Sequence, residues 1–92
     1  MPMFRRKPTL VEAVQWKDDD KTWEAVRALH RDSELVAFRN EDGTVSIETP
    51  DGRMAAEADD WIVKHPEGFF YLYTPDRFVA NYELASVAGG VQ

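Results

Sequence analysis

Residues 67–78 read EGFFYLYTPDRF and put four aromatic rings, Phe69, Phe70, Tyr71 and Tyr73, into five consecutive positions. The run is short, strongly apolar, and bounded by Gly68 on one side and Thr74-Pro75 on the other. That pattern reads as a β-strand. Side chains then alternate, with Phe69, Tyr71 and Tyr73 on one face and Phe70 and Leu72 on the other. Both faces are largely apolar. Either the strand is central and covered on both sides, or part of its second face is kept for a partner. A covered tyrosine hydroxyl needs water or a hydrogen-bond partner. Tyr71 and Tyr73 therefore suit a rim or an interface as well as they suit a core.

The flanking residues extend this unit. Asp60 to Lys64, DWIVK, reads as the preceding strand, and His65-Pro66-Glu67-Gly68 as the turn of a hairpin. Thr74-Pro75-Asp76 is a helix start: a hydroxyl cap, proline at the first helical position, then an acid. It opens a short helix over about 75–82, with Phe78, Val79 and Tyr82 turned inward. Residues 82–87 read as a short closing strand, and 88–92 as a disordered tail.

Upstream, PTLVEAVQW at 8–16 reads as an extended segment, with an irregularity expected near Glu12 or Ala13. Asp18, Asp19 and Asp20 precede KTWEAVRALH, whose Trp23, Val26 and Leu29 share one helical face. The expected helix covers about 20–31. The acids serve its N-terminus by capping and by complementing the dipole; a single short carboxylate run lacks the second ligand set that a metal site needs. Asn40-Glu41-Asp42-Gly43 and Pro50-Asp51-Gly52 carry turn chemistry between alternating flanks, which is a β-meander.

The fold class that follows is α+β. A curled antiparallel sheet of about five to six strands, in the limit a partly open barrel, packs with one α-helix plus one short C-terminal helix. Residues 1–87 form a single globular domain.

Composition narrows the function classes. Ninety-two residues make one domain with a modest core. The chain has no cysteine, so disulfides, thiolate metal sites and a cysteine nucleophile are excluded. No apolar run approaches the roughly 18 residues of a membrane span, and the N-terminus lacks the apolar stretch of a signal peptide. The formal net charge is −6, which disfavours general nucleic-acid binding. Arg5, Arg6 and Lys7 form the only basic cluster and read as a solvated terminus before they read as an anion contact.

Catalytic constellations are not evident. His30 falls late in the first helix, where a cation favours the dipole, and His65 lies in a turn. Neither has a second ligand or a nucleophile at a local spacing. The serines sit in no nucleophile-elbow context and no glycine-rich phosphate loop occurs. We expect no enzyme activity, no metal and no cofactor.

Residues 60–83, DWIVKHPEGFFYLYTPDRFVANYE, resemble a widespread family of small phage and prophage proteins. The family pattern is a D-W-I-[IV]-K strand, a turn ending in Gly, an aromatic strand, then P-D-x-F and Y-E. Here these are Asp60 to Lys64, Gly68, Phe70 and Tyr71, Pro75 to Phe78, and Tyr82-Glu83. RRKPTLVEAVQW at 5–16 is similar to the family's basic start and V-E-A-x-Q-W, and IETPDGRMAA at 47–56 to its middle hairpin. Two positions depart. The family usually has Pro-Gly where this chain has Ala58-Asp59, and often Cys where this chain has Tyr73. The resemblance implies a phage-encoded accessory protein made in the cytoplasm of an infected bacterium. The family carries no established activity, so it transfers no site residue.

Three functions fit these readings. The first is a non-catalytic binding module that engages a host or phage protein, or a second copy of itself, through the aromatic strand. The second is a binder or sponge for a small nucleotide signal, with Lys64 and Arg53 supplying charge and the tyrosines stacking. The third is an acidic mimic of DNA. The candidate binding residues are Phe69, Tyr71, Tyr73, Lys64 and Arg53.

Overall fold

The computed structural model describes residues 10–82. The expected strand at 82–87, the tail 88–92 and the basic cluster at 5–7 therefore lie outside the described residues, apart from Tyr82. The chain runs through β1 (Glu12–Gln15), α1 (Asp20–Leu29), β2 (Phe38–Arg39), β3 (Val45–Thr49), β4 (Gly52–Ala56), β5 (Trp61–Lys64), β6 (Phe70–Tyr73) and α2 (Pro75–Asn81).

The α+β class and both helices match the sequence reading, except that Val79, expected to turn inward, is 73 % exposed. The single curled sheet does not. There are two three-stranded antiparallel sheets, ordered β1-β5-β6 and β2-β3-β4. The break falls at Glu57–Asp60. Asp60 N–H donates to Glu57 O at 3.0 Å, and Glu57 N–H donates to the Asp60 carboxylate at 2.9 Å. Asp59 adopts φ 79°, which turns the chain out of the meander. The emerging strand then pairs with β1, in the register Ala13 opposite Val63 and Val14 opposite Ile62. β5, not the aromatic β6, is central in that sheet.

β1 is regular, and the irregularity expected near Glu12 or Ala13 is absent. Simple alternation suffices because Val14 and Trp16 share one parity, with Glu12 as its polar member. Leu10, of the same parity, is left 72 % exposed. The ladder continues past β1: Trp16 N–H donates to Asp60 O at 2.9 Å and Asp59 N–H donates to Trp16 O at 2.6 Å.

The core forms where the inner faces of the two sheets meet α1. Ile62 and Phe70 from the first sheet, Val45, Ile47 and Ala56 from the second, and Val26 and Leu29 from α1 surround Trp16. Val14, Trp23 and Leu72 pack against this cluster. Burial of such side chains stabilises by roughly 1.5–3 kcal/mol each, so these few residues hold most of the fold. Asp19 caps α1 through the Thr22 N–H at 2.8 Å. Its hydrogen bonds from the Thr22 hydroxyl and amide hold its carboxyl below the ordinary carboxylate range.

Trp16 also fastens one sheet to the other. Its ring is fully buried, and its Nε1–H donates to Gly43 O in the β2–β3 turn at 2.7 Å. Gly43 sits at φ 91°, and a Cβ there would lie 2.8 Å from the Asp18 carboxylate. The positive φ is what favours glycine in that turn, since the half-exposed Asp18 carboxylate can swing aside from a Cβ.

Candidate binding site

The outward face of the first sheet forms the site. Trp61 pairs with Tyr73 and Val63 with Tyr71, so these four residues share the face turned away from the core. Phe70 and Leu72 point the other way, as alternation predicts. Val63 is fully buried although it lies outside the main core. The second face is therefore covered in part too, and α2 lies over it at Trp61.

α2 starts as its sequence requires, with proline in the first turn and Thr74 as the cap residue, though no side-chain cap bond forms. The Phe78 ring stacks on Trp61 at 4.0 Å between centroids and 5° from parallel. Tyr82, just past the helix, stacks on Phe78 at 5.2 Å and meets Tyr73 edge-on at 5.5 Å. His65 meets Tyr71 edge-on at 4.7 Å. The polar tips converge as well: the Tyr73 and Tyr82 hydroxyls are 3.4 Å apart, and the Tyr82 hydroxyl lies 3.5 Å from His65 Nε2. Burial, followed by the Tyr73 hydroxyl, pushes Tyr82 up to about 12. That phenol stays protonated through the neutral range.

The result is a half-buried aromatic surface with polar tips at its rim, and Phe69 is beside it. Phe69 ends the His65–Gly68 turn, where Gly68 takes φ 100°, and it stands 51 % exposed. The chemistry of this surface is stacking and hydrogen bonding. Among the described residues, no group of three or more His, Asp or Glu is placed to hold a metal.

The structure thus brings together Phe69, Tyr71 and Tyr73 of the sequence candidates, but not Lys64 or Arg53. Lys64 pairs with Phe70 and so lies on the opposite face. Arg53 is in the other sheet, where its Nε donates to Glu48 at 2.7 Å and its guanidinium sits 5.7 Å from the Phe38 ring. The charged cleft imagined for a nucleotide is not assembled by these contacts. Trp61, Phe78, Tyr82 and His65 join the surface without having been assigned to it from sequence. Strand parity could have placed Trp61 there; Tyr82 and His65 are 17 positions apart, and only packing brings them together.

His30 is a second surprise. It is not an exposed cation at a helix end but is only 7 % exposed, stacked on Phe70 at 3.9 Å and 2°. Its Nδ1–H donates to Val26 O at 2.9 Å, since a carbonyl only accepts. The other ring nitrogen is buried without a protein partner. Burial, aided by the Lys64 charge, holds its pKa below the ordinary histidine value. His30 borders a cleft of about 210 Å³ that Trp23, Arg27 and Leu35 also line.

No family model, no curated protein and no solved structure matches this chain. The class the structure supports is therefore architectural: an α+β protein of two three-stranded antiparallel sheets and two helices. No helix among the described residues is long and apolar enough to cross a membrane.

Proposed function

We propose that this protein is a non-catalytic binding module, encoded by a bacteriophage, that engages a host or phage protein in the cytoplasm of the infected cell. Its docking surface is the aromatic face of β6, α2 and the 65–69 turn. One observation carries this reading. Tyr71, Tyr73 and Tyr82 are neither buried nor free but half-covered, and Phe69, of the same strand parity as Tyr71 and Tyr73, stands exposed at the edge of this surface. Amphipathic rings with accessible edges concentrate binding energy at protein interfaces.

The test uses the whole chain as bait in host lysate, beside a Phe69→Asp variant. Phe69 is exposed, so the substitution leaves the fold intact, as circular dichroism will verify. A specific partner is expected with the parent chain. With that partner purified, Phe69→Asp weakens binding by about 30-fold, the effect of replacing an exposed contact ring with a charge. A partner held equally by both chains would place the docking surface elsewhere. No partner at all from infected or uninfected cells would remove the proposal.

A further inference from the structure

Two turns of the second sheet carry the same dipeptide in the same place. Asn40-Glu41-Asp42-Gly43 leads from β2 to β3, and Thr49-Pro50-Asp51-Gly52 from β3 to β4, so each turn has aspartate third and glycine fourth. Both glycines take positive φ, 91° at Gly43 and 109° at Gly52. Every other aspartate of the chain precedes a residue with a side chain. What differs between the turns is how the carboxylates are held. That of Asp42 accepts from the Thr44 N–H at 3.0 Å and from the Thr44 hydroxyl at 2.7 Å. These bonds, the hydroxyl's foremost, hold its carboxyl below the ordinary carboxylate range. The Asp51 carboxylate takes no hydrogen bond and no ion pair among the described residues, although its backbone N–H donates to Thr49 Oγ1 at 3.1 Å. Asp51 and Gly52 are both exposed. Nothing lies within 4 Å of where a Cβ of Gly52 would stand, whereas the Asp18 carboxylate fills the matching space at Gly43.

We infer that Asp51 is a site of spontaneous backbone isomerisation, reached through a succinimide closed on Gly52. The Gly52 amide nitrogen attacks Asp51 Cγ and loses its proton, while one carboxyl oxygen leaves as water. Solvent water then adds to either carbonyl of the cyclic imide. Opening at the side-chain carbonyl restores aspartate. Opening at the main-chain carbonyl breaks the original peptide bond and leaves Gly52 joined through the Asp51 side chain, with a free carboxylate on Cα. One water is lost and one regained, so the product has the parent's mass. Glycine permits the closure because no Cβ crowds the attacking nitrogen, and exposure supplies the water. At Asp42 the same closure must first break two hydrogen bonds to a charged group, which are among the stronger ones, and protonate a carboxylate that those bonds keep ionised. The consequence is structural. The new linkage adds one carbon to the main chain within a two-residue turn, and turn length sets hairpin register. The adjoining pairs are Thr49 with Gly52 and Glu48 with Arg53, so β4 loosens from β3 at this end.

The full chain, aged at physiological temperature and neutral pH and then labelled with an isoaspartyl methyltransferase, tests this. Peptide mapping is expected to place the label on Asp51, accumulating at least about tenfold faster than on Asp42, a small difference in barrier. In urea, where neither turn persists, the two rates converge. Asp51→Glu, whose longer side chain closes a less favourable ring, removes the label from this turn. Thr44→Val strips the hydroxyl from the Asp42 carboxylate and, with far-UV circular dichroism unchanged, raises labelling at Asp42 about fivefold. Equal labelling of Asp42 and Asp51 in the folded chain overturns the inference. So does the same ratio in urea as in buffer, which would assign the difference to sequence neighbours, or a Thr44→Val chain in which Asp42 reacts as slowly as before.

Discussion

Asp59 sits at φ 79°, in the left-handed region where a Cβ crowds the following carbonyl. Asp is among the few residues that tolerate it, and most others pay about 1–2 kcal/mol there. Its carboxylate accepts from Lys17 Nζ at 2.7 Å, with both side chains about half exposed, so that ion pair contributes no more than about 1 kcal/mol. Backbone conformation should therefore outweigh the charge. Asp59→Gly is expected to match or exceed the parent in urea unfolding. Asp59→Ala should be less stable than Asp59→Gly by about 1 kcal/mol, the reverse of the usual order within helices and strands. Equal stabilities for the two would show that the turn relaxes. Glycine is the residue that this conformation itself favours.

At the scale of elements, α2 depends on its aromatic contacts. It has seven residues, none fully buried, and helices shorter than about 12 residues are marginal on their own. Phe78 on Trp61 is its closest ring contact with the sheet. Phe78→Ala should cost about 1–2 kcal/mol, since the ring is only partly covered. It should also raise hydrogen exchange at residues 75–81 at least about tenfold above the rest of the chain, because a local release leaves the core intact. Unchanged exchange in α2 would mean that Tyr82 and the Thr74-Pro75 corner suffice to dock it. The helix itself was legible in Thr74-Pro75-Asp76, and the hairpin before it in Gly68, because caps and turns act over a few neighbouring residues. Its role as the cover of the outward sheet face was legible only as a face that needed covering.

For the whole molecule, His30 couples acidity to stability. It is neutral in the fold because burial lowers its pKa, whereas unfolding returns it to the ordinary value near 6.5. Below about pH 6.5 the unfolded chain therefore binds more protons, and stability falls as pH drops until the folded-state pKa is reached. The loss is at most about 1.4 kcal/mol per pH unit for this one group. Lys64, the charge acting on the ring, opposes protonation and so steepens the effect. Melting temperatures taken from pH 7.5 down to 5.5 should fall for the parent chain and fall less for His30→Phe, which keeps a ring against Phe70. Identical slopes would assign the dependence to other groups.

Local chemistry was enough to place α1 and α2, the turns at Asn40–Gly43, Pro50–Gly52 and His65–Gly68, and the opposite facing of Phe70 and Tyr71. Each of these follows from steric limits and hydrogen bonds among residues a few positions apart. Three features arose instead from segments far apart in the chain: the division into two sheets, the burial of His30 against Phe70, and the meeting of Tyr82 with His65. Their free energies come from desolvation and ring contact in the assembled core. A choice between one curled sheet and two turned on a single left-handed residue at Asp59 and on β1 claiming the edge of β5. Lys64 and Arg53 parted from the tyrosines for the same reason, since strand pairing sets which face and which sheet a side chain occupies.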